Sequence, residues 1–206
     1  MKLTAVFEHW HLGDGNYYAF AVGDAVRLSF EFDIDHMELA LPDAPVSVEQ
    51  IRDAEYAVTA RVIRRYADGI DSPFPVLDAG TLRFYVPSRL ASELLPNSVV
   101  HLRGTFALDH YLWVEFLDRY ADAPNLFYDV RVVRIRRVAI PESFIHKTER
   151  SMSFPTSLRP EDYSSDGYED VAKVEKRSDG PSFSLIDFET LPAGSVGSTR
   201  PTFFGA

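Results

Sequence analysis

From Thr81 to Leu108 the chain changes its hydrophobic period twice. Leu82, Phe84 and Val86 alternate with Thr81, Arg83 and Tyr85. A period of two gives a strand one apolar and one polar face. Pro87 ends that run, because proline cannot donate to a ladder. Ser88 then suits a helix N-cap, with Glu93 near the first turn. Leu90, Leu94 and Leu95 follow at helical spacing. Pro96 and Asn97 stop the helix and turn the chain. Alternation resumes with Val100, Leu102, Phe106 and Leu108 on one face and His101, Arg103, Thr105 and Ala107 on the other. Gly104 interrupts it, as glycine does at a bulge or sharp bend.

Other segments repeat the strand period. Residues 2–12 read as a first strand. Ala25 to Asp33 sets Val26, Leu28, Phe30 and Phe32 inward and Arg27, Ser29, Glu31 and Asp33 outward. Tyr56 to Tyr66, Tyr111 to Leu117 and Phe127 to Val138 are further strands, whereas residues 34–54, with Pro42 and Pro45, read as a long loop. The strand, short helix and valine-rich strand of 81–108 resemble the middle of OB-fold proteins, including those that bind single-stranded DNA. That resemblance implies oligonucleotides, oligosaccharides or proteins as ligands and does not choose among them. The expected fold is all-β: an OB-like closed or partly open β-barrel with one short helix, plus a largely irregular C-terminal tail.

The domain boundary follows from composition. Pattern fades at Pro141, and Ser, Gly and Pro supply 20 of the 56 residues from 151 to 206. Residues 1–146 are therefore expected to form the barrel domain, N-terminal strand included, and 147–206 a flexible acidic tail. Apolar islands interrupt that tail: Phe183, Leu185, Ile186 and Phe188, then Phe203 and Phe204. Islands of this kind serve as docking segments or pack back on their own domain.

The formal net charge of −10 opposes non-specific nucleic-acid binding, which requires phosphate neutralisation by basic groups. The chain has no cysteine, which excludes disulfides and thiolate chemistry and fits a cytoplasmic location. There is no signal-peptide pattern and no apolar run long enough to span a membrane.

One outward face combines aromatics with arginine: Arg83, Tyr85, His101, Arg103, Tyr111 and Trp113. Guanidinium groups track phosphate and ring faces stack on bases, but Tyr, Trp and Arg also dominate protein interfaces. Arg131, Arg134, Arg136 and Arg137 form a second cluster, expected beside Arg61, Arg64 and Arg65 and paired across strands with acids such as Glu31, Asp33 and Asp35. His9 and His11, two apart on one strand face, are weak metal candidates together with Glu8, Asp14 or His36. No nucleophile elbow, zinc-protease helix or phosphate loop is present, and no cofactor is implied. The expectation is a non-catalytic protein-binding module, an adaptor or an inhibitor of immunity type. The alternatives are single-stranded nucleic-acid binding by the Arg/aromatic face and a metal-dependent enzyme using the His pair.

Overall fold

The structure is a computed structural model that describes residues 1–13, 17, 19–68, 72–87, 94–109, 122–138, 167–174 and 183–196. In chain order its elements are β1 (Lys2–Glu8), α1 (Trp10–Gly13), β2 (Ala25–Leu28), β3 (Phe30–Leu39), β4 (Ser47–Arg52) and β5 (Glu55–Asp68), followed by β6 (Ser72–Asp78), β7 (Arg83–Tyr85), β8 (Val99–Leu108), β9 (Tyr128–Val138), β10 (Tyr168–Asp170) and β11 (Phe183–Thr190). They divide into two compact units, one drawn from Ser29–Leu126 and the other from Lys2–Leu28 and Phe127–Ala206.

In the first unit β3 pairs antiparallel with β8, β8 with β5, β5 with β6 and β6 with β7. β7 then returns parallel to β3 through Glu31 and Tyr85. The circuit is a closed five-stranded β-barrel, consistent with an OB-like barrel. Its core follows the alternation at 81–108. Phe106 packs on Phe32 at 4.7 Å between ring centroids, on Tyr56 at 5.1 Å and on Phe84 at 5.2 Å. Tilted and edge-on geometries at these distances add about 0.5–1.5 kcal/mol per pair beyond area burial. β8 can lie this close to β3 because position 104 has no side chain. A Cβ there would stand 2.0 Å from the Asp33 carbonyl oxygen. The register of β3 slips directly opposite, between Ile34 and His36.

The second unit is a sheet in which β11 lies between β1 and β9, while β2 and β10 share the other edge of β9. Phe7 anchors its aromatic cluster, with Phe20 at 5.1 Å, Tyr17 at 5.6 Å and His11 at 5.8 Å.

Several expectations change. The run from Ala25 to Asp33 is not one barrel strand: it breaks at Ser29, so Val26 and Leu28 serve the sheet unit and Phe30 and Phe32 the barrel. The supposed loop at 34–54 holds the second half of β3 and all of β4. The division of the chain at 146/147 gives way to boundaries at 28/29 and 126/127. β1 pairs with β11 and groups with the second unit, and the expected tail contributes two strands, β10 and β11. The helix expected from Ser88 and the strand from Tyr111 lie outside the described residues. No helix among the described residues is long and apolar enough to cross a membrane.

Candidate functional site

One end of the barrel displays large apolar side chains. β3 ends at Leu39, and Ala40 extends its ladder by donating to the Val99 carbonyl at 2.9 Å. Residues 40–46 then run along the rim to reach β4, with a turn closed by Ala44 N donating to Leu41 O at 3.0 Å. A second rim loop turns at Asn97, whose φ of 68° is left-handed and suits asparagine. Asn97 N donates to Val62 O at 2.7 Å, and Val62 N donates to Ser98 O at 2.9 Å. The Arg61 guanidinium ties the two loops together, donating to Pro42 O at 3.2 Å and to Asn97 O at 3.4 Å.

The loops are thus fixed by main-chain bonds and leave their side chains outside. Leu39 is 75% exposed, Leu41 74%, Leu95 62% and Val46 39%. Single exposed leucines need no explanation, whereas several exposed on one rim are unusual for a surface. Burying each leucine in a partner would contribute roughly 1–2 kcal/mol. Two carboxylates neighbour them in sequence: Glu38 and Asp43 are both exposed, and neither forms an ion pair among the described residues.

The expected Arg/aromatic face is not assembled by the described residues. Tyr85 is 1% exposed rather than outward, because β7 is the short strand that closes the barrel on β3. Its hydroxyl lies 2.7 Å from Glu31 Oε2 and 2.5 Å from Asp109 Oδ1, and Ser29 Oγ donates to Asp109 Oδ2 at 2.8 Å. Burial first, then the two carboxyls, pushes the Tyr85 phenol well above its ordinary range. Arg83 is outward but donates to Asp78 at 2.8 Å, and Arg103 donates to Glu55 at 2.7 Å. His101 is exposed with Nδ1 2.8 Å from Thr59 Oγ1. Tyr111 and Trp113 lie outside the described residues.

The tail island is strand β11: Phe183, Leu185, Ile186 and Phe188 are all buried, paired with β1 and β9. They are not free for a partner; Phe203 and Phe204 lie outside the described residues. Arg134 and Arg136 are paired with Asp170 and Asp187, each at hydrogen-bonding distance, and Arg137 with Glu169. Three of the four arginines are therefore paired with acids of the expected tail rather than with Glu31, Asp33 and Asp35, while Arg131 is exposed. His9 and His11 do not share a strand face, since β1 ends at Glu8 and α1 follows. His9 Nε2 is 2.8 Å from Ser184 Oγ, His11 stacks on Phe7, and both rings are buried. Exposed His36 belongs to the other unit.

The rim escaped the sequence because Pro42 and Pro45 made its leucines look like loop residues. The available signal was the density of apolar side chains, Leu39, Leu41 and Val46, in a segment otherwise read as polar. The chain matches no protein-family model, no curated protein and no solved structure.

Proposed function

We propose that the protein is a non-catalytic binding module whose barrel rim docks a partner protein. The observation that carries this is the exposure of Leu39, Leu41 and Leu95 on loops held rigid by Arg61 and by main-chain bonds. A pre-organised apolar surface loses little entropy on binding, and the neighbouring carboxylates select a partner of opposite potential. The Arg/aromatic face no longer favours single-stranded nucleic acid, because Tyr85 is buried and Arg83 and Arg103 are occupied by carboxylates.

The test is capture from lysate with the wild type beside a Leu39→Asp/Leu41→Asp variant. Both leucines face solvent, so the variant should fold with stability unchanged to within about 0.5 kcal/mol. A partner held by the wild type should be lost. Equal capture by both proteins, or none by the wild type, removes the proposal.

A further inference from the structure

We propose that the outer edge of β4 accepts an extended basic segment of a partner protein as an added β-strand, a deepening that rests on the rim being a docking surface. β4 pairs with β5 along one side, from Ser47↔Thr59 to Arg52↔Glu55. Among the described residues no strand pairs with its other side. That side presents a row of main-chain donors and acceptors, the groups through which extended peptides add to sheets. Sheet edges are commonly blunted by lysine or proline within the strand. β4 reads SVEQIR and contains neither, and its bulge falls at Ile51, past the Ser47–Gln50 part of the edge. Its register slips between Gln50 and Arg52, which leaves Ile51 unpaired in the ladder and 48% exposed. Bulges re-aim side chains in this way. The strand begins one residue after Val46, so edge and rim are continuous.

Charge identifies the occupant. Residues 35–55 hold six acids, Asp35, Glu38, Asp43, Glu49, Asp53 and Glu55, against one arginine, Arg52. Glu55 is engaged by Arg103 at 2.6 Å. Glu49 lies on β4 itself, exposed and without an ion pair among the described residues; Glu38 on β3 and Asp43 in the rim loop are likewise exposed and without an ion pair there. An incoming strand that alternates basic and aliphatic residues would set its cations toward Glu49 and its aliphatic groups against Val46 and Ile51. A second copy of this chain would bring the same acidic edge, and phosphate would add charge of the same sign; both are repelled.

The experiment is calorimetric titration of the full chain with a short peptide of alternating lysine and valine. Two relatives serve as controls: one with glutamate for lysine, and one N-methylated at alternate residues so that side chains remain while main-chain donors are removed. The lysine peptide should bind and should slow amide exchange within Val48–Arg52. Neither control should bind. Glu49→Lys should weaken binding about tenfold, since it turns a cross-strand attraction into a repulsion. Equal binding of the N-methylated peptide, or binding without protection of β4, would overturn strand addition. So would no binding at all. A dimer in sedimentation that Glu49→Lys dissociates would make the occupant a second copy and overturn it as well. The Leu39/Leu41 capture experiment is independent of these outcomes: the edge can fail while the rim stands, and failure of capture removes the rim itself.

Discussion

At the barrel's parallel seam a buried phenol touches two buried carboxyls; in the sheet unit the contrasting contacts are carboxylates held by arginines. Tyr85, Glu31, Asp109 and Ser29 meet at the parallel seam between β3 and β7, and all four are nearly inaccessible. In the sheet unit Asp129 is clasped by Arg27 at 2.6 and 3.0 Å, and Asp187 by Arg136 at 2.9 Å. The first arrangement contributes most while the Tyr85 phenol keeps its proton. The second contributes most while the Asp129 carboxyl has lost its proton. The two regions should therefore weaken at opposite ends of the pH scale. The absence of cysteine makes this measurable, because one thiol introduced at buried Val100 or buried Val130 reports the opening of one unit at a time.

The largest effect should come from Gly104→Ala. The new Cβ would meet the Asp33 carbonyl oxygen at 2.0 Å, a backbone atom that cannot swing away. The cost is about 3 kcal/mol, read as roughly a hundredfold faster labelling at Val100→Cys. An equal rise at Val130→Cys would show that the units open together and would erase the contrast. Next is Tyr85→Phe, which leaves two buried carboxyls without their shared hydroxyl at about 1–3 kcal/mol. Because the folded-state phenol sits above its ordinary value of 10.0, its contribution is complete below that pH. It is lost as pH rises through the folded value. Wild-type barrel labelling should accelerate in alkali above about pH 10, and Tyr85→Phe should abolish that dependence. A barrel thiol indifferent to alkali in the wild type would break the comparison.

Much of the barrel was legible in the sequence because a strand's two-residue period survives in single residues: Leu82 and Phe84, then Val100, Leu102 and Phe106. Gly104 was legible as a bulge because only a missing side chain allows so close an approach. The polar residues of those strands were misread for one reason. Alternation says that Tyr85 and Phe84 face opposite ways, but not that both ways are interior. Ser29 and Glu31 failed likewise: the run from Ala25 to Asp33 leaves one unit and enters the other without a change of period. β11 was hidden by averaging, since eight strand residues were diluted by the serines, glycines and prolines around them. The rim was hidden by its prolines, and its exposure is a tertiary fact that no local pattern encodes.

A smaller effect should come from Asp129→Asn in the sheet unit. Arg27 holds the Asp129 carboxyl below its ordinary value of 3.8, with main-chain donors from Val196 and Gly194 assisting. A depressed folded value means the contribution is present above pH 3.8 and is lost as pH falls through the folded value. Asparagine keeps one acceptor for Arg27 and loses the charge, a cost of about 1–1.5 kcal/mol at neutral pH. Hydrogen exchange of β2 and β9 amides should rise in the variant at pH 6. The acid-induced rise seen in the wild type should be reduced. A variant that matches the wild type at both pH values would show that the clasp adds nothing and that arginine pairing does not distinguish this unit.

Arg134→Ala should do least. Arg134 also clasps a carboxylate with two bonds, to Asp170 at 2.6 and 2.9 Å. The geometry therefore matches the Arg27–Asp129 pair almost bond for bond. The difference is solvent: the Arg134 and Asp170 side chains are 52% and 63% exposed, against 16% and 1% for Arg27 and Asp129. Water screens the exposed pair, and holding two long side chains in place offsets what remains. Asp170 lies below its ordinary carboxyl value because of the Arg134 hydrogen bond. NMR titration should show it returning toward 3.8 in the variant, while exchange of β9 and β10 amides stays unchanged. Faster exchange across β9 would mean that the exposed pair anchors the sheet as firmly as the buried one. Burial, rather than the arginine itself, would then cease to explain why the Arg27–Asp129 clasp matters.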